Sequence, residues 1–206
     1  VQKNSSTKEK TIDKGYLISP RDLCSLEFLP NLINAGVTCF KIEGRLKNPE
    51  YVATVTRIYR KYIDKILNGC DTYQVDEKDK KDLMQVFNRG GFSSGHLGHN
   101  PNRDLIFKEK SNNMGIEIGT VENYNANKGH IKLQLKDSVS IGDTISFEKE
   151  PSKYTISELM QNNSNFTTLG SGKKVTIGRM KGNISVGNKV YKLSSKELTT
   201  SARQSF

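Results

Sequence analysis

The order of elements in the first hundred residues limits the possible folds more than any other feature of this sequence. The pattern predicts a strand at 15–19, a helix from Pro20 that is interrupted at Pro30 and ended by Gly36, and a second strand at 37–43. Strands joined through helices are parallel, and such strands need covered faces and neighbours on both edges. We therefore interpret these residues as the end of an α/β barrel whose other strands are absent.

Two helix starts share one pattern. Ser19–Pro20 and Asn48–Pro49 each place a capping residue before a proline, which is typical of a helix N-terminus. The second pair predicts an amphipathic helix that runs to about Asn68, is ended by Gly69 and carries one apolar stripe. A shorter helix is predicted at 79–87.

The pattern changes at Met114, where apolar and polar residues begin to alternate. Two strand runs are separated by the turn signature "NANKG", and "SVGNKVYKL" echoes "SIGDTISF". These features predict two similar halves of one small β-barrel. The predicted segments are a flexible N-terminus at 1–14, the barrel part at 15–99, a polar linker at 100–113, the β-barrel domain at 114–198 and a tail at 199–206.

Charge and composition limit the partners. The net charge is +10, with 32 Lys and Arg against 22 Asp and Glu. This charge favours polyanions such as RNA, although a general bias towards lysine explains it equally well because the charges are dispersed. There is no apolar run of about 18 residues, so no membrane partner is expected. Three cysteines without a C-x-x-C spacing predict a reducing, cytoplasmic location. Since the chain begins at Val1, it is expected to be a piece of a longer protein.

Several motifs together resemble peptidase family U32, the collagenase-like proteases. They are "DLC", "AGV" followed by "FKIEGRLKNPEYVA", and "RGGFSSGHLG". The resemblance covers residues 15–99, and 114–193 are more loosely similar to the family's C-terminal domain. It implies an α+β multi-domain fold, in which the terminal βαβα part of an incomplete TIM-like α/β barrel precedes a small β-barrel like that of translation factors.

The resemblance also implies alternative functions. The family name implies proteolysis, whereas several members support hydroxylation of tRNA or rRNA bases, or of ubiquinone, and hold a 4Fe–4S cluster on four cysteines. Cys24 matches the fourth cysteine, and the other three lie upstream of this sequence. The expected parent is thus a U32 protease or an RNA-hydroxylation protein, and this chain alone is expected to be inactive and without a cluster. A non-catalytic module that binds RNA or protein is the third alternative.

Position alone leaves two interpretations of Cys24. In the first turns of the predicted helix, the positive helix end favours a thiolate and hence a metal ligand. The alternative is a small buried hydrophobic side chain, which is also the interpretation of Cys39 and Cys70.

Lys41 and Glu43 share one face of the predicted second strand, and Phe40 and Ile42 share the other. In a barrel, Lys41 and Glu43 point into the lumen near its C-terminal rim, which makes them candidate catalytic residues. They serve equally well as a structural ion pair. Either role requires partners: each other, Arg45 or a ligand.

The remaining candidates follow the predicted elements. Arg45, Lys47 and Arg89 suit an anionic group of a substrate. His96 and His99 lie three residues apart in a glycine-rich segment, where a lid or interface loop is favoured over a metal site. No histidine, including His130, has a recognisable nucleophile beside it. The expected partners are a peptide or RNA substrate, the missing N-terminal part of the barrel, and a second copy that covers the exposed edges.

Overall fold

A computed structural model describes residues 15–98, 105–148 and 150–206 of the 206-residue chain. These ranges contain a 3-10 helix at Leu26–Phe28 and the α-helices α1 Leu29–Asn34, α2 Pro49–Leu67, α3 Glu77–Val86 and α4 Lys196–Arg203. The strands are β1 Asp22–Leu23, β2 Phe92–Ser93, β3 Ile116–Asn125, β4 His130–Gln134, β5 Val139–Ser140, β6 Thr144–Phe147, β7 Glu150–Thr155, β8 Leu159–Gln161, β9 Ser164–Asn165, β10 Thr168–Leu169, β11 Lys174–Ile177 and β12 Lys189–Ser194. None of the helices is both long and apolar enough to cross a membrane.

The structure confirms the helix that was predicted from Pro49 to about Asn68, which is α2. The Asn48 side chain accepts a hydrogen bond from the Tyr51 N–H at 2.9 Å, and Pro49 occupies the first turn. The helix ends at Leu67, and Gly69 takes a φ of 72°, which only glycine adopts without strain. Ile58 on the apolar stripe is fully buried. The stripe therefore forms the centre of a helical core.

The strand predicted at 15–19 and the helix predicted from Pro20 are both wrong. Asp22–Leu23 instead forms β1, which pairs in parallel with β2 through Asp22 and Phe92. The Ser19 carbonyl accepts from the Phe107 N–H at 2.9 Å, so it does not begin a helix. Pro30 lies in the first turn of α1 and therefore starts that helix rather than interrupting one. Tertiary pairing has overridden a local capping pattern.

Residues 37–43 do not form the predicted second strand. Within the described ranges, no strand pairs with this segment, so its backbone has no ladder to join. The predicted alternation nevertheless holds, because Phe40 and Ile42 pack on the helical core while Lys41 and Glu43 are exposed. Within residues 15–98 the strands form one parallel pair, β1–β2, which does not confirm the predicted α/β barrel.

The second half is β-rich, as predicted. One sheet has the strand order β7-β6-β12-β3-β4-β11-β8-β9, and a small sheet pairs β5 with β10. Side chains from most of these strands share a single core, so the large sheet curls around it. Its outermost strands, β7 and β9, are not paired with each other. The domain is therefore a curled half-barrel rather than the closed β-barrel that was predicted.

The internal echo of the β half has a structural basis. In "SIGDTISF" the Asp143 side chain accepts from the Ser140 N–H at 2.9 Å, and in "SVGNKVYKL" the Asn188 side chain accepts from the Ser185 N–H at 3.1 Å. Both turns lead into neighbouring strands, β6 and β12. The predicted "NANKG" turn joins β3 to β4, and its Gly129 has a φ of 65°.

A shared carboxylate joins the helical half to the β half. Asp137, between β4 and β5, accepts from the ammonium groups of Lys81 on α3 and Lys192 on β12. The side chains of Asp137 and Lys192 are each 7% exposed. Gln85 on α3 adds a hydrogen bond of 2.9 Å to the Lys192 carbonyl. The two halves therefore pack as one unit.

Two segments predicted as connections are packed against the fold. The described part of the predicted linker includes Phe107, which is 9% exposed, and Ile106, which bridges to Pro20. The predicted tail includes most of α4, which lies on α2 through the ion pair between Arg203 and Glu50. The predicted flexible segment 1–14 lies outside the described residues.

Replacing Asp137 by alanine is expected to lower the free energy of unfolding by about 3 kcal/mol, because Lys192 is left buried without a counter-ion. The measurement is urea unfolding followed by circular dichroism. Glu122→Ala is the control, since its pair with Lys174 is exposed and long, at 3.8 Å, and should contribute below about 1 kcal/mol. Equal effects of the two substitutions would show that the shared carboxylate does not join the halves.

The Asp137 contribution is also expected to depend on pH. Burial raises the pKa of this carboxyl, but the hydrogen bond from Lys81 and the charge of Lys192 outweigh burial and hold its pKa below the usual value. A group whose pKa is depressed in the folded state stabilises above its unfolded pKa, about 4, and loses that effect as the pH falls through the folded pKa. The stability difference between the native chain and Asp137→Ala should thus be constant near neutrality and shrink below about pH 4. Titration of urea unfolding against pH measures it, and a difference that grows in acid would contradict the assignment.

Candidate functional site

The ends of the two parallel strands carry a bidentate ion pair. The Arg89 guanidinium donates to both carboxylate oxygens of Asp22, with an Nη2 to Oδ1 distance of 2.9 Å, and the Arg89 backbone N–H adds a third bond of 2.9 Å. The following residue, Gly90, has a φ of 77°, and a Cβ there would meet the Phe107 ring at 2.3 Å. Only glycine fits this position, which directs Arg89 back towards β1. Bidentate pairs of this kind fix the plane of the guanidinium.

Two cations lie beside one aromatic ring. The Lys47 ammonium is 2.7 Å from the centroid of Phe87, and the Arg89 guanidinium carbon is 5.8 Å from it. Tyr51 packs edge-on against Phe87 with centroids 6.3 Å apart. We name Asp22, Lys47, Tyr51, Phe87 and Arg89 the aromatic–cation cluster. It combines three charges with two aromatic rings at the N-terminal end of the parallel pair β1–β2.

The electrostatics of this cluster couple its members. Burial lowers the pKa of Lys47, Arg89 lowers it further, and Asp22 opposes both effects. Burial raises the pKa of the Tyr51 phenol, and the negative charges of Asp22 and Glu43 add to this shift. The cluster therefore carries one excess positive charge that Asp22 does not neutralise, which suits an anionic group of a ligand.

Glu43, Arg45 and Lys41 lie on the exposed rim beside the cluster. The Arg45 backbone N–H donates to Glu43 Oε1 at 3.0 Å, and its Nε donates to the same oxygen at 3.1 Å. These two bonds, in that order, hold the pKa of Glu43 below its usual value, and Lys41 adds a weaker effect. Of the partners predicted for the strand carboxylate, the structure selects Arg45. Catalytic roles for Lys41 and Glu43 stay predictions.

Cys24 lies between β1 and the 3-10 helix, and its backbone N–H donates to the Ser93 carbonyl at 3.0 Å. The predicted helix end that would favour a thiolate is not formed there. Burial instead raises the pKa of the Cys24 thiol, and hydrogen bonds involving Leu26 and Tyr59 offset this only in part. The neutral thiol is therefore favoured.

The other two cysteines, Cys39 and Cys70, differ in exposure. Cys39 is exposed, so its interpretation as a buried hydrophobic residue is wrong, and Cys70 is half-buried. Among residues 15–98, 105–148 and 150–206, no three His, Cys, Asp or Glu side chains come together as a metal site. Cys24 is thus one thiol where a 4Fe–4S cluster takes four. The described residues of this chain do not by themselves fit such a cluster.

The histidines provide no nucleophile–base pair in the part of the chain that the structure describes. His130 Nε2 lies 3.4 Å from Glu158 Oε2, and Arg179 lies 3.9 Å from the same oxygen. His96 is exposed, and His99 lies outside the described residues. A serine- or cysteine-type hydrolytic site is therefore not formed by these side chains.

Sequence reasoning found Arg45, Lys47 and Arg89 but missed Asp22, Tyr51 and Phe87 as parts of a site. Asp22 and Arg89 are 67 residues apart, and no spacing rule connects them. Tyr51 was assigned to the apolar stripe of its helix, and Phe87 was predicted only as the end of the short helix at 79–87. The sequence contained one signal for this site, the Asp22 carboxylate of "DLC" next to a strand. A carboxylate that is half-buried needs a cationic partner.

The cysteines are expected to differ in reactivity. Because only the thiolate reacts, and burial both covers Cys24 and raises its pKa, alkylation of Cys24 at neutral pH should be at least about tenfold slower than that of exposed Cys39. Timed iodoacetamide labelling followed by peptide mass spectrometry measures both rates in one sample. Urea-unfolded protein is the control, in which the two rates should converge. Faster labelling of Cys24 than of Cys39 in the folded chain would contradict the assigned environment.

Comparison with known proteins identifies relatives of two kinds. An uncharacterized protease of Methanocaldococcus jannaschii is 38% identical over 148 residues, which are 69% of this chain and 35% of the relative. The "tRNA hydroxylation protein P1" of Bacillus subtilis is 29% identical over 157 residues, or 74% of this chain and 37% of the relative. A "Collagenase" of Porphyromonas gingivalis strain W83 is 39% identical over 98 residues, or 48% of this chain and 24% of the relative. The chain thus spans well under half the length of each relative.

The family itself follows from a longer match. The model of peptidase family U32 matches residues 1–106, which are more than half of the 206 residues. The matched range contains Cys24, the rim residues and the whole aromatic–cation cluster. The protein therefore belongs to peptidase family U32.

Proposed function

We propose that the chain is the C-terminal portion of a U32 protein that acts on RNA, in the hydroxylation of a tRNA or rRNA base. The aromatic–cation cluster carries the proposal. It places Lys47 and Arg89 beside an aromatic ring, and a positive surface interleaved with aromatic rings is what binding of single-stranded nucleic acid requires.

The rim and the overall charge extend this argument. Arg45 has a side chain that is 89% exposed, and Lys41 is exposed on the same segment. Together with Lys47 and Arg89 they form a group of four cationic side chains, within a chain of net charge +10. Phosphate contacts by such side chains dominate the affinity for nucleic acids. The "tRNA hydroxylation protein P1" is also a relative whose match extends over 74% of this chain.

Proteolysis, which the sequence analysis placed first, is the second candidate. The relatives named protease and collagenase, at 38% and 39% identity, favour it. The described side chains do not provide a nucleophile with a base, so hydrolysis would need residues from elsewhere in a longer protein. A non-catalytic module that binds RNA or protein is the remaining alternative, and it shares the binding surface of the first.

The exposed apolar surface of the helical half supports a larger barrel. Ile18 is 93% exposed, Leu46 is 98% exposed and Leu23 on β1 is 58% exposed. A two-stranded parallel sheet with such neighbours is expected to continue into further strands. We propose that upstream strands of a TIM-like barrel cover this surface, and a second copy of the chain is the alternative cover.

Cys24 has a limited place in this proposal. It would be one of four thiolate ligands of a 4Fe–4S cluster in the complete protein, together with the three upstream cysteines that the family resemblance implies. Because the described residues supply one such thiol, no step of the reaction is assigned to this group. The cytoplasmic location stays a prediction.

RNA binding by the 206-residue chain tests the proposed function. Affinity for a single-stranded RNA oligonucleotide should fall steeply between about 50 and 200 mM salt. Arg45→Ala and Lys47→Ala should each weaken binding and lower the slope of log affinity against log salt by about 0.7, the value of one single-strand phosphate contact. Fluorescence anisotropy measures both quantities.

Lys174→Ala is the control for Arg45→Ala, because Lys174 is also a strongly exposed cation, 77% against 89%, and lies in the β half outside the cluster. It should leave affinity and slope unchanged. Binding that is absent, or that does not depend on salt, would refute the RNA function. In that case, cleavage of denatured collagen by the complete protein would support the second candidate.

A further inference from the structure

One loop of the β half holds an arginine in a strained backbone conformation. Arg179 follows β11 and has a φ of 65°, in the left-handed region that arginine rarely adopts. Its side chain is 75% exposed and lies 3.9 Å from Glu158 Oε2, so neither burial nor a close ion pair accounts for this conformation. Backbone strain of this kind is concentrated at functional sites. The loop that follows β11 is therefore a candidate for a second site.

This loop is fixed on the turn between β3 and β4. The Met180 N–H donates to the Gly129 carbonyl at 2.9 Å, and a Cβ on Gly129 would lie 2.5 Å from the Met180 carbonyl oxygen. Met180 and Ile184 are both buried in the core of the β half, which anchors the loop at two points. The exposed side chains of the loop and of the turn are therefore carried by a well-held backbone.

Two tyrosine hydroxyls also support the loop. The Tyr154 hydroxyl donates to the Lys181 carbonyl, and the Tyr124 hydroxyl donates to the Gly182 carbonyl at 3.5 Å. Both tyrosines are half-buried, and Tyr154 packs edge-on against Phe147 with ring centroids 5.7 Å apart. Two partly exposed aromatic side chains thus lie beside the loop.

Three exposed cations share this end of the sheet. Lys128 in the turn and Lys181 in the loop are exposed, as is Arg179. Within the ranges that the structure describes, neither lysine forms an ion pair, and Glu158 is the carboxylate beside Arg179. The region therefore has an excess of two positive charges. We name it the basic turn patch, and its members are Tyr124, Lys128, Tyr154, Arg179 and Lys181.

The basic turn patch and the aromatic–cation cluster lie at opposite ends of β3. Asn88, between two residues of the cluster in sequence, donates through its side chain to the Gly115 carbonyl at 3.1 Å, just before β3 begins. The strand ends at Asn125, in the turn that carries Lys128. Its ten residues, at about 3.3 Å each, separate the two regions by about 30 Å. Both regions place cations beside aromatic side chains.

We propose that the basic turn patch is a second binding surface for the RNA strand that occupies the aromatic–cation cluster. Its cations contact phosphates and its tyrosine rings contact bases, which is the combination that binds single strands. The proposal rests on the RNA function proposed above and extends the RNA surface to the β half. A strand that reaches both surfaces binds more tightly than one that reaches the cluster alone, because its second contact is made at a high effective concentration.

The test compares two single-stranded RNAs, of about four and about 30 nucleotides, on the 206-residue chain by fluorescence anisotropy. At about 3.4 Å per stacked nucleotide, the longer RNA can span about 30 Å and the shorter one cannot. Arg179→Asn and Lys181→Ala should each lower the salt slope of the longer RNA by about 0.7 and weaken its binding about fivefold at about 0.1 M salt, as the loss of one phosphate contact does. Neither variant should change the binding of the shorter RNA.

Lys174→Ala is the matched control. The side chains of Lys174 and Arg179 are 77% and 75% exposed, and their nearest carboxylate oxygens are 3.8 and 3.9 Å away. Lys174 lies outside the patch, so this variant should bind both RNAs like the native chain. Arg179→Lys retains the charge and should keep most of the affinity for the longer RNA.

The fold of each variant is checked by circular dichroism. Asparagine tolerates the left-handed conformation, so Arg179→Asn is expected to fold. If it does not fold, Lys181→Ala decides the proposal, since that side chain is exposed and forms no ion pair among the described residues.

The outcomes separate this inference from the proposed function. Variants of the basic turn patch that bind the longer RNA like the native chain, or that weaken both RNAs equally, would overturn the second surface. If Arg45→Ala and Lys47→Ala still weaken both RNAs in that case, the RNA function stands without the patch. A chain that binds neither RNA would refute both proposals.

Discussion

The carboxylate of Asp137 is the interaction on which the arrangement of the two halves depends. The ammonium groups of Lys81 and Lys192 donate to it, and so does the Ser138 backbone N–H at 2.6 Å. Removing such charges from water is costly, and close, well-bonded counter-charges repay that cost. Because Lys81 belongs to α3 and Lys192 to β12, the carboxylate fixes the helical half on the curled sheet.

Local signals predicted the elements whose stability is local. Helix α2 was predicted within a residue at both ends, because Asn48, Pro49 and Gly69 act on the backbone beside them. The repeated turns before β6 and β12 were found for the same reason, since each is closed by a side chain three residues from its donor. These contacts are encoded in short stretches, and a single sequence is enough to recognise them.

The wrong assignments concern segments whose partners are distant in the sequence. Ser19–Pro20 has the pattern of a helix start, yet the chain there bonds to 105–107 and continues into β1, whose partner is β2. For 37–43 the predicted alternation of buried and exposed side chains was right, but the predicted strand was wrong. An alternation with a period of two reports which side chains are buried and not whether a neighbouring strand exists to pair with. The cluster follows the same rule. Lys47 and Arg89 could be proposed from charge, but the carboxylate that orients Arg89 could not.

Helix α3 connects the aromatic–cation cluster to the junction of the two halves. Gln85 lies in its last turn, on the side that faces β12, and Phe87 follows directly after its last residue. With a rise of about 1.5 Å per residue, the two positions are only a few ångströms apart along the axis. The same helix is anchored at its other end, where Tyr62 donates to Asp79 at 2.7 Å. A shift of α3 would therefore move the ring beside Lys47 and the Gln85 amide that bonds to β12 together. The contacts at the junction of the halves and the geometry of the cluster are therefore coupled through α3. The β half is coupled to the cluster in this way, although it contributes none of the cluster's side chains.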